Sequence, residues 1–278
     1  MTKIRAMEHG DVSFALRLTN TEGWGFTRQD FLRLLKLGTR GCFVALKEKQ
    51  RIGIITTTKY DDLAWIGNVI VAKAVRGQRV GIQLLERAIS HIEAEGINRI
   101  GLYSYPHTRP LYRSLGFSET AIFVRYLRTS ETMTQEPAKL SRRFNLKEIA
   151  RFDKDRFGAD RTKLLRQLSK EFRKFCFVFD DGNRISGYVI AKGAQSGYEI
   201  GPCISDYNES AMALLNAELN QMKGKKVEIA VPMRNRFVTH GLSKIGFSPV
   251  GQVHEMYRGA LPKRQLETIF AVGGLEKG

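Results

Sequence analysis

Residues 75–85 read VRGQRVGIQLL and lie between an apolar run rich in β-branched residues and a segment whose apolar residues recur at helical spacing. Glycines allow a backbone to approach a ligand closely, and the start of a helix presents unpaired N–H groups with a partial positive charge. Gly77 and Gly81 are accompanied by Arg76 and Arg79, which can form charge-assisted bonds to phosphate oxygens. The stretch therefore predicts a strand, a phosphate-binding loop and a helix, in that order.

The composition predicts folded domains in a reducing compartment. The 278 residues are 42% hydrophobic, with 16 Phe and 9 Tyr, which is enough for packed cores in two domains. No run of 18 apolar residues and no signal-peptide pattern is present. The three cysteines form no CxxC pair, and the histidines lack metal-ligand spacing. We therefore predict a cytoplasmic protein with no membrane segment, no disulfide frame and no metal.

The formal net charge of +17 suggests a polyanionic ligand or partner. Nucleic acid, an acidic membrane surface and a ligand with several phosphates would each suit this charge, and so would a solvated basic surface. The sequence contains no helix-turn-helix, zinc-finger or RNA-binding aromatic signature, which disfavours nucleic acid without closing that alternative.

Short matches show that the chain repeats one plan. They keep the same order at an offset of 134 and then 130 residues: CFV at 42–44 and 176–178, IG at 66–67 and 200–201, and GF at 116–117 and 246–247. We predict two tandem domains, 1–130 and 140–278, joined by the polar stretch 129–139. One large domain with chance matches is the alternative.

The change of offset falls at the glycine–arginine loop. The second copy is four residues shorter there, and its segment DYNESAMA contributes Asp206 and Glu209 but no basic residue and no glycine. The first copy is therefore predicted to bind an anion and the second is not.

Periodicity predicts an α+β fold, with a mixed, mostly antiparallel sheet flanked by helices. Strands are expected where β-branched residues cluster, and helices where apolar residues recur every three or four positions. Thr27 and Asp30 form a capping-box pattern that predicts a helix start, and Gly96 predicts a helix end. In the first copy the predicted strands are 41–47, 52–58, 63–72 and 97–105, and helices are predicted from residue 82 and around 109–115.

The order of strand, VRGQRVG loop, helix, strand and LYRSLGF resembles the GCN5-related N-acetyltransferase (GNAT) superfamily, in its tandem-domain form with a degenerate C-terminal copy. The superfamily's signature for acetyl-CoA is Arg/Gln-x-x-Gly-x-Gly/Ala, and residues 76–81 fit it except at Arg79, which stands where the middle glycine is expected. Tyr112 lies four residues before Gly116 and Phe117, as the superfamily's tyrosine does.

The resemblance implies an acetyl-CoA-dependent N-acetyltransferase that acts on a primary amine. It implies that the strand before the loop pairs with the pantetheine arm and that the loop holds the pyrophosphate. The cofactor-binding residues are then Val69, Ile70, Val71, Arg76, Gly77, Gln78, Arg79, Val80, Gly81 and Ile82. Tyr112 is the candidate acid for the leaving thiol, with simple core packing as the alternative; the matching position in the second copy is Leu242.

The acceptor site is less defined by the sequence. Trp24, Phe26, Tyr103 and Tyr105 are the candidate lining residues of a pocket for a small-molecule or peptide amine. A general base is not identified, although Asp61, Asp62 and His107 lie near strand ends. A basic nucleic-acid-binding protein and a non-catalytic acyl-CoA sensor on the same scaffold are the alternative functions.

Overall fold

The computed structural model describes residues 2–38, 40–129, 140–180, 184–222 and 224–278, so most of the predicted linker at 129–139 lies outside the described residues. The chain forms two compact units. The first contains Met1–Glu119, Met256–Leu261 and Glu276–Gly278, and the second contains Thr120–Glu255 and Pro262–Leu275. Within the described residues, no helix is long and apolar enough to span a membrane.

The first unit contains strands β1 to β5 in one sheet, with helices on both faces. Its elements are β1 (Thr2–Ala6), α1 (Val12–Asn20), α2 (Arg28–Leu37), β2 (Phe43–Lys47), β3 (Gln50–Tyr60), β4 (Leu63–Val71), α3 (Val80–Ala94), β5 (Arg99–Ser104) and α4 (Arg109–Ser114). The strands lie in the order β1-β2-β3-β4-β5, and every pair is antiparallel except β4 with β5. The predicted elements are confirmed, with small differences at their ends.

Local sequence explains the helix positions. The Thr27 hydroxyl accepts from the N–H of Asp30 at 3.3 Å, and the Asp30 carboxylate accepts from the N–H of Thr27 at 2.8 Å, so the predicted capping box starts α2. Apolar residues of α3, such as Leu84 and Leu85, pack with Ile66 on one face of the sheet. A second core on the other face joins α1 and α2 to Ile70.

The second unit repeats this plan. It holds most of β6 (Ser118–Thr129), then β7 (Leu140–Ser141), α5 (Leu146–Phe157), α6 (Thr162–Glu171), β8 (Cys176–Asp180), β9 (Ile185–Ala194), β10 (Gly197–Ser205), α7 (Asn208–Gln221), β11 (Lys226–Pro232), α8 (Arg236–Lys244), most of β12 (Ser248–Arg258) and β13 (Ile269–Ala271). Five of its strands lie in the order β11-β10-β9-β8-β7, and β10 pairs with β11 in parallel. The predicted fold class, two tandem α+β units with mostly antiparallel sheets, is confirmed.

The last strand of each copy does not stay with its own copy. Most of β6, which follows the first Gly-Phe pair, belongs to the second unit, where it pairs with β11. The end of β12, which follows the second Gly-Phe pair, belongs to the first unit, where Tyr257 contacts Trp65 edge-on at a ring-centroid distance of 5.7 Å. The compact units are therefore not two continuous segments of chain.

Candidate active site

Two adjacent strands of the first unit separate in the middle of the sheet. β4 and β5 pair from Leu63–Arg99 to Ile66–Leu102, and their pairing ends there. Just beyond, Asn68 has a φ of 50°, and the register of β4 against β3 shifts. This irregularity is a bulge, which bends a strand away from its neighbour. The cleft leaves the predicted pantetheine-binding residues, 69–71, beside an open edge of β4.

The loop after β4 leads into α3 with its N–H groups available. The first four N–H groups of a helix have no partner inside the helix, and no side chain caps α3 at its N-cap residue, Arg79. A Cβ on Gly77 would meet nothing within 4 Å, and one on Gly81 would meet only the Val71 side chain, at 3.7 Å. The helix start is thus open to a ligand and lined by amide donors, which suits a diphosphate.

The backbone of Arg79 takes a conformation that favours glycine, the residue that the family signature has at this position. Its φ of 60° and ψ of 9° lie in the left-handed region, where glycine carries no steric cost. This conformation gives a physical reason for a glycine at the middle position of the signature. The Arg79 side chain is exposed, and its contact with a phosphate stays a prediction.

Arg76 has protein partners in this structure. Its guanidinium donates to the Val71 carbonyl at 3.1 Å and to the Glu22 carboxylate at 2.6 Å. Arg76 therefore ties the segment before Trp24 to the end of β4. A phosphate ligand would have to compete with Glu22, and the predicted role of Arg76 in binding it stays a prediction.

Tyr112 lies on α4 in the core beneath the sheet. Its ring packs edge-on against that of Phe117, with a centroid distance of 6.1 Å. Burial raises the pKa of its hydroxyl to about 12. Since the neutral phenol is favoured, Tyr112 can donate a hydrogen bond at physiological pH. Both predicted roles, acid and packing residue, are compatible with this environment.

The candidate acceptor residues fall into separate groups. The rings of Trp24 and Phe26 are neighbours, with a centroid distance of 6.5 Å, and both pack on the core of α1 and α2. Tyr103 instead packs against the fully buried Trp65, with a ring-centroid distance of 5.0 Å. Tyr105 stacks on His107, with a ring-centroid distance of 6.0 Å. Sequence reasoning missed Trp65, although strand alternation places it on the same side of β4 as Gly67.

The acidic residues considered as bases lie away from the cleft. Asp61 and Asp62 form the turn between β3 and β4, and Asp62 forms an ion pair with Arg99. The four paired residues of β4, 63–66, separate this turn from the bulge. These carboxylates are therefore poorly placed to take a proton at the open part of β4.

Sequence reasoning also missed a distant segment of chain. Glu276 and Lys277 are 6% and 1% exposed, and both belong to the first unit. The Cα of Glu276 lies 2.6 Å from the position that a Cβ on Gly67 would take, and the Tyr60 hydroxyl donates to the Lys277 carbonyl at 2.7 Å. No local pattern signals this contact, because the partners are separated by 217 positions.

The corresponding cleft of the second unit is filled by the chain itself. β10 and β11 pair only as far as Ile200 and Ile229, as in the first unit. Beyond that point β13 pairs with β10, from Cys203–Ala271 to Ile204–Ile269, and the N–H of Val272 donates to Ala230. A strand therefore occupies the place where, in the first unit, the described residues put no strand between β4 and β5.

The helix start of the second unit also differs. Asp206, two residues before α7, accepts bonds from the Arg156 guanidinium at 2.7 and 2.8 Å. This ion pair places a carboxylate, already neutralised by Arg156, where the first unit has its glycine–arginine loop. Leu242, which matches Tyr112, is fully buried.

The cysteines are structural. All three are buried and free, and burial raises the pKa of Cys42 to about 11 and that of Cys176 to about 12. A thiol that stays protonated is a poor nucleophile, which agrees with their prediction as small core residues.

Two family models match the chain, both described as an acetyltransferase (GNAT) domain, at residues 149–271 and 38–119. Holothin acyltransferase of Pseudoalteromonas sp. (strain SANK 73390) is 25% identical over 262 residues, which cover 92% of this chain and 88% of that protein.

Solved structures show the same fold. A proposed acetyltransferase from Pyrococcus horikoshii aligns with a TM-score of 0.83 at 20% identity, over 100% of this chain and 96% of that one. A tandem GNAT protein from the clavulanic acid biosynthesis pathway aligns with a TM-score of 0.66 at 11% identity, over 95% and 100%.

Proposed function

Because the chain belongs to the GNAT superfamily and is an acyltransferase with two GNAT domains in tandem, we propose that it transfers acetyl from acetyl-CoA to a primary amine. In this proposal the first unit is catalytic, and the second is a degenerate copy that helps to shape the acceptor site. The proposed extents of the two domains are 1–130 and 140–278.

One contrast carries the proposal. In the first unit the strands separate after Ile66, and an uncapped, glycine-lined helix start follows. In the second unit β13 fills the corresponding cleft, and Asp206 precedes the helix. Two copies of one fold thus differ at both places where an acyl-CoA would bind, and only the first suits it.

The reaction joins the nitrogen of the neutral amine to the acetyl carbon and breaks the carbon–sulfur bond. The nitrogen gives up one proton to water, and the departing sulfur gains one. Acetyl-CoA, when bound, supplies the activated thioester. The open edge at residues 69–71 would orient the pantetheine arm, and the amides at the start of α3 would hold the diphosphate. The Tyr112 hydroxyl, kept protonated by burial, would donate to the departing sulfur.

Calorimetric titration with acetyl-CoA tests the site. We expect one acetyl-CoA site per chain. Gly81→Leu should bind acetyl-CoA at least tenfold more weakly, because the leucine side chain would take up space proposed for the phosphates. Gly10→Leu is the control, since Gly10 also has open space around it. No binding, or two equivalent sites, would refute the proposal.

Tyr112→Phe distinguishes an enzyme from a sensor. We expect acetyl-CoA affinity to change less than twofold and the rate of acetyl transfer to fall by about 100-fold, the low end for loss of a general acid. A sensor would show no transfer in the natural protein.

The acceptor is to be found by measuring CoA release over a panel of ethylamine, glycine, L-lysine, L-glutamate and short peptides with a free N-terminus. An acceptor is expected to give acetyl-CoA-dependent product, identified by mass spectrometry. Release without acetylated product would indicate hydrolysis and argue against the proposal.

One observation favours a second candidate function, binding of a polyanion. A groove of about 510 Å³ between α5 and α6 in the second unit is lined by one acidic residue, Asp160, and by four basic residues: Lys147, Arg151, Lys154 and Arg166. Such a cluster suits phosphate groups of a nucleic acid.

A further inference from the structure

Residues 276–278 lie against β4 in the first unit, next to the point where β4 leaves β5. The Cα and Cβ of Glu276 are both 2.6 Å, and its carbonyl oxygen is 2.9 Å, from where a Cβ on Gly67 would stand. Gly67 directly follows Ile66, the last residue of β4 that pairs with β5. The segment therefore needs a glycine on β4 at this position.

This contact is on the face of the sheet opposite α3. Ile66 packs in the core with α3, whereas its neighbour Trp65 contacts Tyr103 and Tyr257 on the other face. Successive side chains of a strand alternate, so Gly67 shares the face of Trp65. The predicted acceptor residue Tyr103 and the 276–278 segment are thus on one side of the cleft.

We propose that the 276–278 segment forms the acceptor-side wall of the transfer site and that Glu276 is a positioning residue for the amine. The inference rests on the proposed function: with the pantetheine arm along residues 69–71 and the diphosphate at the start of α3, the thioester would lie where β4 and β5 separate. The ligand class is a primary ammonium group, which the Glu276 carboxylate holds beside the thioester before the nitrogen loses its proton.

The surroundings of Glu276 fit this role. Its carboxylate forms an ion pair with Lys277, so the charge is balanced although both residues are buried. The hydroxyl of the fully buried Tyr60 holds the Lys277 carbonyl, which fixes the segment on β4. A substrate ammonium group would share this carboxylate with Lys277 or displace it. In a site with little water, a bond of this kind is stronger than one to an exposed carboxylate.

The experiment uses the full chain, saturating acetyl-CoA and the panel amine with the highest kcat/KM. In Glu276→Gln we expect the KM for the amine to rise at least tenfold, with kcat and the Kd for acetyl-CoA changed less than twofold. Glu276→Asp should recover part of the KM, because it keeps the charge. Glu86→Gln, on the exposed side of α3, is the matched control.

Gly67→Ala provides a second route, because its methyl group would meet the main chain of Glu276 and displace the segment. It is expected to raise the KM for the amine as Glu276→Gln does. An unchanged KM in both variants would overturn the inference. So would a higher kcat/KM after deletion of residues 276–278, since the segment would then obstruct the site.

These failures differ from failure of the proposed function. If the natural protein neither binds acetyl-CoA nor acetylates any panel amine, the proposed function fails before any variant is compared. If it does both and the variants keep their acetyl-CoA affinity, the KM values test the role of Glu276 alone.

Discussion

Arg79 takes a left-handed backbone conformation at the N-cap of α3, which costs a residue with a Cβ roughly 1 kcal/mol. We therefore expect Arg79→Gly to have a free energy of unfolding about 1 kcal/mol above that of Arg79→Ala, which loses the same side chain but keeps the Cβ. Urea unfolding measures this difference.

Calorimetry should show that Arg79→Gly keeps its Kd for acetyl-CoA within roughly tenfold, about 1.4 kcal/mol. Complete loss of binding would contradict our interpretation of the loop.

Tyr112 gives a prediction about pH. Burial raises the pKa of its hydroxyl to about 12, above the value of about 10 for an exposed tyrosine. Its contribution to stability is therefore complete below about pH 10 and is lost as the pH rises towards 12. We expect kcat/KM in the natural protein and in Tyr112→Phe to have the same pH profile up to about pH 10, at different absolute rates. A fall below pH 10 that only the natural protein shows would contradict this assignment.

At the scale of elements, β13 distinguishes the two clefts. A Cβ on Gly201 would lie 1.8 Å from the Val272 carbonyl oxygen, just beyond β13, whereas one on Gly193 would meet nothing within 4 Å. We expect Gly201→Ala to lower the free energy of unfolding by about 1–3 kcal/mol or more, through overpacking and because its φ of 148° disfavours a residue with a Cβ. Gly193→Ala should have little effect. Chemical unfolding followed by tryptophan fluorescence and circular dichroism measures both. Equal stability of the two variants would show that Val272 does not pack closely on Gly201.

For the whole molecule, the net charge of +17 suits both candidate functions. The affinity for a polyanion distinguishes acetyl transfer from polyanion binding. We expect only weak, salt-sensitive binding of a 20-nucleotide single strand, with a Kd of roughly 10⁻⁴–10⁻⁶ M, typical of non-specific association. Lys147→Glu with Arg151→Glu should weaken it further and leave acetyl transfer unchanged. Arg17→Glu with Lys49→Glu makes the same charge change elsewhere. Tight binding that depends on the groove and inhibits transfer would favour the second candidate.

Features that depend on neighbouring residues can be predicted from the amino-acid sequence alone. The capping box at Thr27, the glycine loop before α3 and the repeat of strands and helices all arise from hydrogen bonds and packing within a few turns of chain. The absence of the loop from the second copy was equally visible, because the two copies could be aligned on their shared pattern.

The distant segments that complete each unit are visible only in the folded chain. Both copies offer a similar strand edge and a similar cleft, so the pattern of residues does not state that β13 fills one of them. Nor does it state that β6 and the end of β12 join the other copy's unit, or that Glu276 lies on Gly67. These pairings depend on which of several near-equivalent edges is closest in the folded chain. That depends on packing between residues that are distant in sequence, by up to 217 positions for Tyr60 and Lys277.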